Sequence, residues 1–307
     1  MTTAELPVLV TGSTGRQGGA TARALLARKT PVRALVRDPH TPRARAIEEL
    51  GADLVVGDLT APATLKAAVD GVRAVYSVQM PAYTGQGFDF AGEVAQAENL
   101  MTAARAAGVE QFVQSSTSGV GQHTEAPGWR EGRWEVMRVP LGTKAAIQDR
   151  LREVDFPYWT LLKPSFFMEN FEPSMRFYFP RGVEGGLVTV VKPGTHLALV
   201  AARDVGRAAA AALSAPAEWH RVELELASDR LTMTRIADVL SRALGVPLAA
   251  PDMTEEQARA AGMGDMGATH AFMDAVGQPA RPQFAQARGI ELTSFEEWAH
   301  EHLRPVA

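Results

Sequence analysis

Cysteine is absent from all 307 residues. That excludes a disulfide framework, a thiolate nucleophile and any Cys-based zinc or iron–sulfur site, and it fits a reducing compartment. There is no excess of positive charge either. The 31 Lys and Arg stand against 35 Asp and Glu, a formal net charge of −4, so the total shows no basic footprint for a phosphate backbone and nucleic acid is not an expected partner. Long apolar runs are missing as well. The opening MTTAELPVLVTG lacks the basic segment and apolar stretch of a secretory signal, and the stretch from Leu197 to Leu213 is interrupted by Arg203, Asp204 and Arg207. A bilayer crossing needs about 20 apolar residues, so a cytoplasmic protein without a membrane partner is expected. No internal repeat and no low-complexity segment stands out.

What is present is an alternation of short apolar runs with longer stretches of helical period. Strand-like segments at Leu6–Thr11, Val32–Arg37, Asp53–Val56, Ala74–Val78, Gln111–Ser115 and Tyr158–Leu162 are separated by helix-like ones at Gly18–Arg28, Ala44–Leu50, Ala63–Val69, Gly92–Ala107 and from Pro140 to about Arg152. The strands do not alternate apolar and polar residues, so both faces are expected to be covered by helices. The fold class is therefore α/β, a Rossmann-like doubly wound parallel sheet over residues 1–165, with a smaller C-terminal α/β lobe over 166–307 that returns elements to the core. In that lobe the spacing predicts a helix after Asp204, a strand at Arg221–Leu226 and a helix from Thr232 to Leu244 ended by Gly245. The stretch GMGDMGATH reads as a turn-rich piece before a last helix.

Directly after the first strand comes TGSTGRQGG, with Gly12, Gly15 and Gly18 at three-residue spacing and a helical segment behind them. A strand, a turn free of Cβ atoms and a helix N-terminus together let backbone amides approach a pyrophosphate. Gly12, Ser13, Thr14, Gly15, Arg16, Gln17 and Gly18 are thus the predicted cradle; the other reading is a glycine-rich turn that binds nothing. The second strand ends in Arg37, where an acidic residue would accept from a ribose 2′-hydroxyl. A guanidinium there suits a 2′-phosphate and predicts NADP, whereas Asp38 beside it keeps NAD open as the alternative. Asp58, ending the third strand, is placed to reach an adenine amino group or to serve as a turn residue. Ser77, Val78 and Gln79 follow the fourth strand beside the expected path of the ribose and nicotinamide, and Ser115 ends the fifth.

Several segments carry a family resemblance: GSTGRQGG, AENLMTAARAAGVEQFVQSS, KPSFFMENF, RDVGRAAAAAL and LASDRLTMTRIADVLSRALG. Over residues 6 to 245 the chain resembles the short-chain dehydrogenase/reductase superfamily and, within it, the atypical NmrA-like family. The resemblance implies an NAD(P)-binding fold and one of two roles, a redox-sensing regulator or an NADPH-dependent reductase. It also implies a hydroxyl after the fifth strand, matched by Thr117, and a Tyr four residues before a Lys. Lys144 stands where that lysine belongs, but the Tyr position is Pro140. Proline has no proton to give, and here it reads as a helix-starting residue. The usual Tyr–Lys route is therefore broken, while Lys144 and Thr117 stay as catalytic candidates and Lys144 also as a ribose-binding one.

The segment Ser118–Val139 is long for a connection and carries His123, Trp129 and Trp134, which with Phe166 and Phe167 are candidates for a substrate pocket. The plain alternative is that the tryptophans anchor the loop and the phenylalanines pack the core. The histidines form no metal set; His300 and His302 fall on different helix faces, so no metal is expected. The sequence leaves a reductase acting on a small quinone, enone or carbonyl compound beside a non-catalytic redox sensor acting through a protein partner.

Overall fold

The computed structural model describes residues 6–85 and 87–305; the first five residues of the opening discussed above lie outside them, as do the last two of the lobe. The chain runs β1 (Val8–Val10), α1 (Arg16–Ala27), β2 (Val32–Val36), α2 (Pro42–Glu49), β3 (Asp53–Val56), α3 (Pro62–Val69) and β4 (Ala74–Ser77). A short hairpin, β5 (Ala82–Tyr83) and β6 (Phe88–Asp89), leads into α4 (Phe90–Ala106), then β7 (Gln111–Ser115), α5 (Glu135–Glu153) and β8 (Tyr158–Pro164). There follow β9 (Phe166–Phe167), β10 (His196–Val200), α6 (Ala202–Ser214), α7 (Pro216–Trp219), β11 (Val222–Leu226), β12 (Asp229–Thr232) and α8 (Met233–Leu244). The tail carries α9 (Glu255–Ala260), α10 (Met266–Val276), α11 (Pro282–Gln286) and α12 (Phe295–His302).

Seven strands form one sheet in the order β11-β8-β7-β4-β1-β2-β3. The pairings of β3 with β2, β2 with β1, β1 with β4, β4 with β7 and β7 with β8 are all parallel. This is the Rossmann-like doubly wound sheet, and its order reverses between β1 and β4, the place where such sheets open a crevice at their C-terminal edge. The parallel strands are held by apolar side chains covered on both faces. Leu9, Val75, Phe112 and Leu161 from four strands pack with Leu65 of α3, Leu100 and Met101 of α4, and Ile147 and Leu151 of α5.

Two compact units are interleaved along the chain. The first contains residues up to Val120, Val139–Lys163 and Ala202–Leu224; the second contains Gly121–Arg138, Pro164–Ala201 and the residues from Glu225 on. The first unit regains α6 after the first 163 residues because α6 has a face of small residues, Gly206 with Ala208, Ala209 and Ala212 buried. Gln111 and Arg73 then donate to the carbonyls of Ala212 and Leu213 at its end. The second unit has its own three-stranded sheet, β12-β10-β9. Its core joins Phe166 and Phe171 to Ile236 and Leu240 of α8 and to Phe295 and Trp298 of α12. Gly245 ends α8 at φ 69°, as the spacing predicted.

Two expectations need correction. Pro140 does not start α5: the helix begins at Glu135 and carries Pro140 inside it. The missing N–H frees the carbonyl one turn back, on Val136, whose side chain is exposed. The predicted loop is correspondingly shorter, with a 3-10 turn at His123–Glu125. Within GMGDMGATH, residues from Met266 on are the first part of α10 rather than turn. No helix of the described residues is long and apolar enough to cross a membrane.

Candidate functional site

The turn after β1 is built around space that only glycine leaves. Gly12 adopts φ +60°, and a Cβ on Gly18 would lie 2.2 Å from the Thr11 carbonyl oxygen and 2.4 Å from that of Gly12. The Gly15 N–H donates to the Gly12 carbonyl at 2.8 Å, closing the turn. Gly15 then precedes α1 with extended backbone and no side-chain cap, so the first N–H groups of a twelve-residue helix point out of an exposed turn. This is the arrangement in which backbone donors and the helix dipole favour an anion. The turn is tied to the switch point by a reciprocal pair: Val78 N–H donates to Thr11 Oγ1 at 2.9 Å, and that hydroxyl donates to the Val78 carbonyl at 3.3 Å. Ser13 is buried and donates to the Leu35 carbonyl at 3.2 Å, so only its backbone faces the turn, whereas Arg16 is exposed and Thr14 and Gln17 are half-buried.

Beyond β2, Arg37 and Asp38 are both exposed, and their surroundings separate them. Asp38 Oδ1 accepts the His40 N–H at 2.8 Å, and the Thr41 hydroxyl caps α2 by accepting from Ala44 N–H, so Asp38 has a local task in the turn. Asp58 does too. Its Oδ1 accepts from both the N–H and the hydroxyl of Thr60, each at 2.8 Å. Those two hydrogen bonds hold the Asp58 carboxyl below its usual range against a small opposing effect of burial, and the Arg37 charge adds to the lowering.

At the other side of the switch point lies a buried polar network. Ser115 Oγ donates to Gln17 Oε1 at 2.7 Å, Gln114 Nε2 to Gln79 Oε1 at 2.9 Å, and Gln79 Nε2 to Ser77 Oγ at 2.7 Å. Ser77 and Gln79 are therefore engaged with each other and Ser115 with Gln17, rather than standing open. Gln148 Nε2 donates to Ser116 Oγ at 2.7 Å, which leaves Thr117, half-buried, as the more accessible of the three hydroxyls ending β7. Lys144 lies on the α5 row formed by Pro140, Lys144 and Gln148. Its Nζ donates to the Gln79 carbonyl at 3.2 Å and makes an ion pair with Glu93 Oε1. The lysine side chain is 18% exposed and that of Glu93 is 0% exposed. Tyr76, on β4, is fully buried, and burial pushes its phenol up to about 12, the Ser115 and Thr21 hydroxyls acting the other way.

The predicted pocket residues belong to the second unit, where they are mostly buried. His123 accepts the Gly121 N–H at 3.2 Å through Nδ1, stands edge-on to Trp129, and is pushed below its usual range by burial. Trp129 and Trp134 are each under 10% exposed and set edge-on to Phe272 of α10. Trp134 Nε1 donates to the Pro127 carbonyl at 2.8 Å, and Arg133 and Arg138 lie over the two indoles. These contacts anchor the segment, the alternative the sequence left open. Phe166 packs in the core against Phe171, Tyr178 and His270, and Phe167 is half-buried.

The profile of the NmrA-like family matches residues 5–298. The chain belongs to the NmrA-like family. An NAD(P)H azoreductase of Xenophilus azovorans is 33% identical over 278 residues, 88% of this chain and 85% of that one. Among solved structures, the triphenylmethane reductase of Citrobacter sp. complexed with NADP(H) shares the fold at a TM-score of 0.77 and 21% identity, covering 97% of this chain and 100% of the other. The negative transcriptional regulator NmrA in complex with NADP does so at 0.72 and 17%, covering 97% and 96%.

Glu93 and Gln114 escaped the sequence reading. For Glu93 a signal was available: residues 93, 97, 100, 101 and 104 form one helical stripe of α4, and all five are buried. A carboxylate on an otherwise apolar stripe must find a partner. Gln114, in the middle of a buried strand, carries the same kind of signal.

Proposed function

We propose that this member of the NmrA-like family binds NADP(H) across the C-terminal edge of its seven-stranded sheet and reduces a small, flat, conjugated acceptor such as a quinone, enone, carbonyl or azo compound. The observation that carries the reading is the Gly12–Gly18 turn, whose backbone leaves no room for a Cβ at Gly18 and which ends on an uncapped helix N-terminus. The turn's amides would hold the pyrophosphate and Arg37 the 2′-phosphate, since Asp38 is occupied in its own turn. Bound NADPH supplies a hydride. The chain's part is then to orient, to exclude water and to handle one proton. Lys144, fixed by Glu93 and the Gln79 carbonyl, keeps one N–H for the ribose hydroxyls. Thr117 would be the hydroxyl that steadies negative charge on the acceptor and passes on, from solvent, the proton that balances the hydride. The azoreductase relative supports a reductase over a dehydrogenase of alcohols, and Pro140 in the tyrosine position agrees with that direction. Pro140 is also what favours a second reading, a sensor of cofactor redox state that acts through a protein partner.

Titration of the purified chain with NADPH, NADP+ and NADH, followed by a panel of quinones, enones and azo compounds added to the NADPH complex, separates the readings. Turnover of a panel member with a large loss in Lys144→Met supports the reductase. Tight binding that differs between NADPH and NADP+ without turnover supports the sensor, and absence of nucleotide binding overturns both.

A further inference from the structure

Lys144 does not present a bare charge. Its ammonium is paired with Glu93, a carboxylate on the buried stripe of α4 whose side chain is 0% exposed. The second oxygen of that carboxylate, Oε2, is buried with no hydrogen-bond partner among the described residues. Burying a carboxylate and leaving half of it unsatisfied costs stability, and a hydrophobic residue on that stripe would pack without the cost. An aliphatic residue would, however, leave Lys144 as an uncompensated cation at the C-terminal ends of β4 and β7. Sheet order fixes what that would mean. With the phosphate turn after β1 and Arg37 after β2, the adenosine half of a dinucleotide belongs over β2 and β3, and the nicotinamide half belongs on the other side of the switch point, over β4 and β7. A nicotinamide ring carries a positive charge when oxidised and none when reduced.

We infer that Glu93 is a positioning and charge-compensating residue that sets the preference of the site between the two redox states of the dinucleotide. By making Lys144 part of a neutral pair it lets the lysine hold the ribose without repelling the oxidised ring. The inference rests on the cofactor reading above. Its signature is a pair of opposite shifts. In Glu93→Gln, of nearly the same shape, Lys144 is left uncompensated and the ratio Kd(NADP+)/Kd(NADPH) rises about tenfold, the order expected for one unit charge acting across a partly screened site. In Lys144→Met the carboxylate is left uncompensated and the ratio falls below that of the parent chain. The double variant, neutral again, returns toward the parent value, and Glu93→Asp, which keeps the charge, stays close to it.

The test is titration of the full chain and these four variants with NADPH and with NADP+ separately, read by protein fluorescence or calorimetry, with circular dichroism to confirm the fold. Should Glu93→Gln fail to fold, Lys144→Met and Glu93→Asp still decide the sign. Opposite shifts that cancel in the double variant support the inference. Shifts in the same direction, or ratios within about twofold of the parent in both single variants, overturn it while leaving the cofactor reading intact. A parent chain that binds neither nucleotide removes the cofactor reading and this inference with it.

Discussion

Arg37 and Gly18 act on a ligand in different ways, and substitution separates them. Arg37 is exposed at the end of β2, so truncating it removes a charged donor without disturbing the core. Arg37→Ala is expected to weaken NADPH by roughly 10- to 100-fold, the range for one or two hydrogen bonds to a charged group, and to change NADH binding by much less. Equal losses for the two cofactors, measured by fluorescence titration, would remove the 2′-phosphate assignment. Gly18 is buried, and the methyl group of Gly18→Ala would meet the Thr11 carbonyl at 2.2 Å. Because that oxygen is backbone in the turn itself, relief requires moving the turn. The expected loss is ~2–4 kcal/mol in urea unfolding, together with loss of dinucleotide binding.

Among the elements, the contact of α1 with α6 offers the cleanest test of packing. A Cβ on Gly206 would stand 2.5 Å from the Ala20 carbonyl oxygen, so Gly206→Ala is expected to cost ~1–3 kcal/mol, whereas the same change at Gly142, with open space around it, should be neutral or stabilising because alanine favours helix. Similar urea midpoints for the two variants would show that the helices have room to part. The strands Asp53–Val56 and Gln111–Ser115 fall where their apolar runs begin and end. What stayed hidden was non-local. Pro140 read as a helix start because a proline fits a first turn, and only the packing of Trp134 and Met137 behind it explains five helical residues ahead of it. The strands β9, β10 and β12 were not read from the sequence; β9 is only two residues long, and all three take strand form through their pairing, β10 with β12 and with β9. At the candidate site, the glycine turn and Arg37 were singled out by type and spacing and Lys144 by the family resemblance, while Glu93 was not sought because its partner is 51 residues away.

For the molecule as a whole, the response to acid follows from a histidine outside the candidate site. His270 on α10 lies buried between the rings of Phe166 and Phe179, and burial pushes it down to about 4 from 6.5. Its hydrogen bonds agree with a neutral ring. Thr189 Oγ1 accepts the Val191 N–H and lies 2.9 Å from His270 Nδ1, while Nε2 is buried with no hydrogen-bond partner among the described residues, so a second ring proton would have nothing to bond to. The unfolded chain takes up a proton at this histidine near its ordinary value, whereas the folded chain does so only near 4, so between those values the unfolded state binds more protons and stability falls as the pH falls. The full effect is of order 3 kcal/mol, complete by about pH 4. His123, lowered by burial in the same direction, adds to it. Asp58 and Glu223, whose carboxyls are held below their usual range, contribute stability that is lost only at lower pH, as their folded forms become protonated. The two effects are therefore separable by pH window. His270→Asn keeps a polar partner for the Thr189 hydroxyl and has nothing to titrate. Its urea stability should stay level from pH 6.5 to 4 apart from the His123 contribution, while that of the parent chain declines; parallel slopes in the two proteins would mean that the buried imidazole is not the group that titrates.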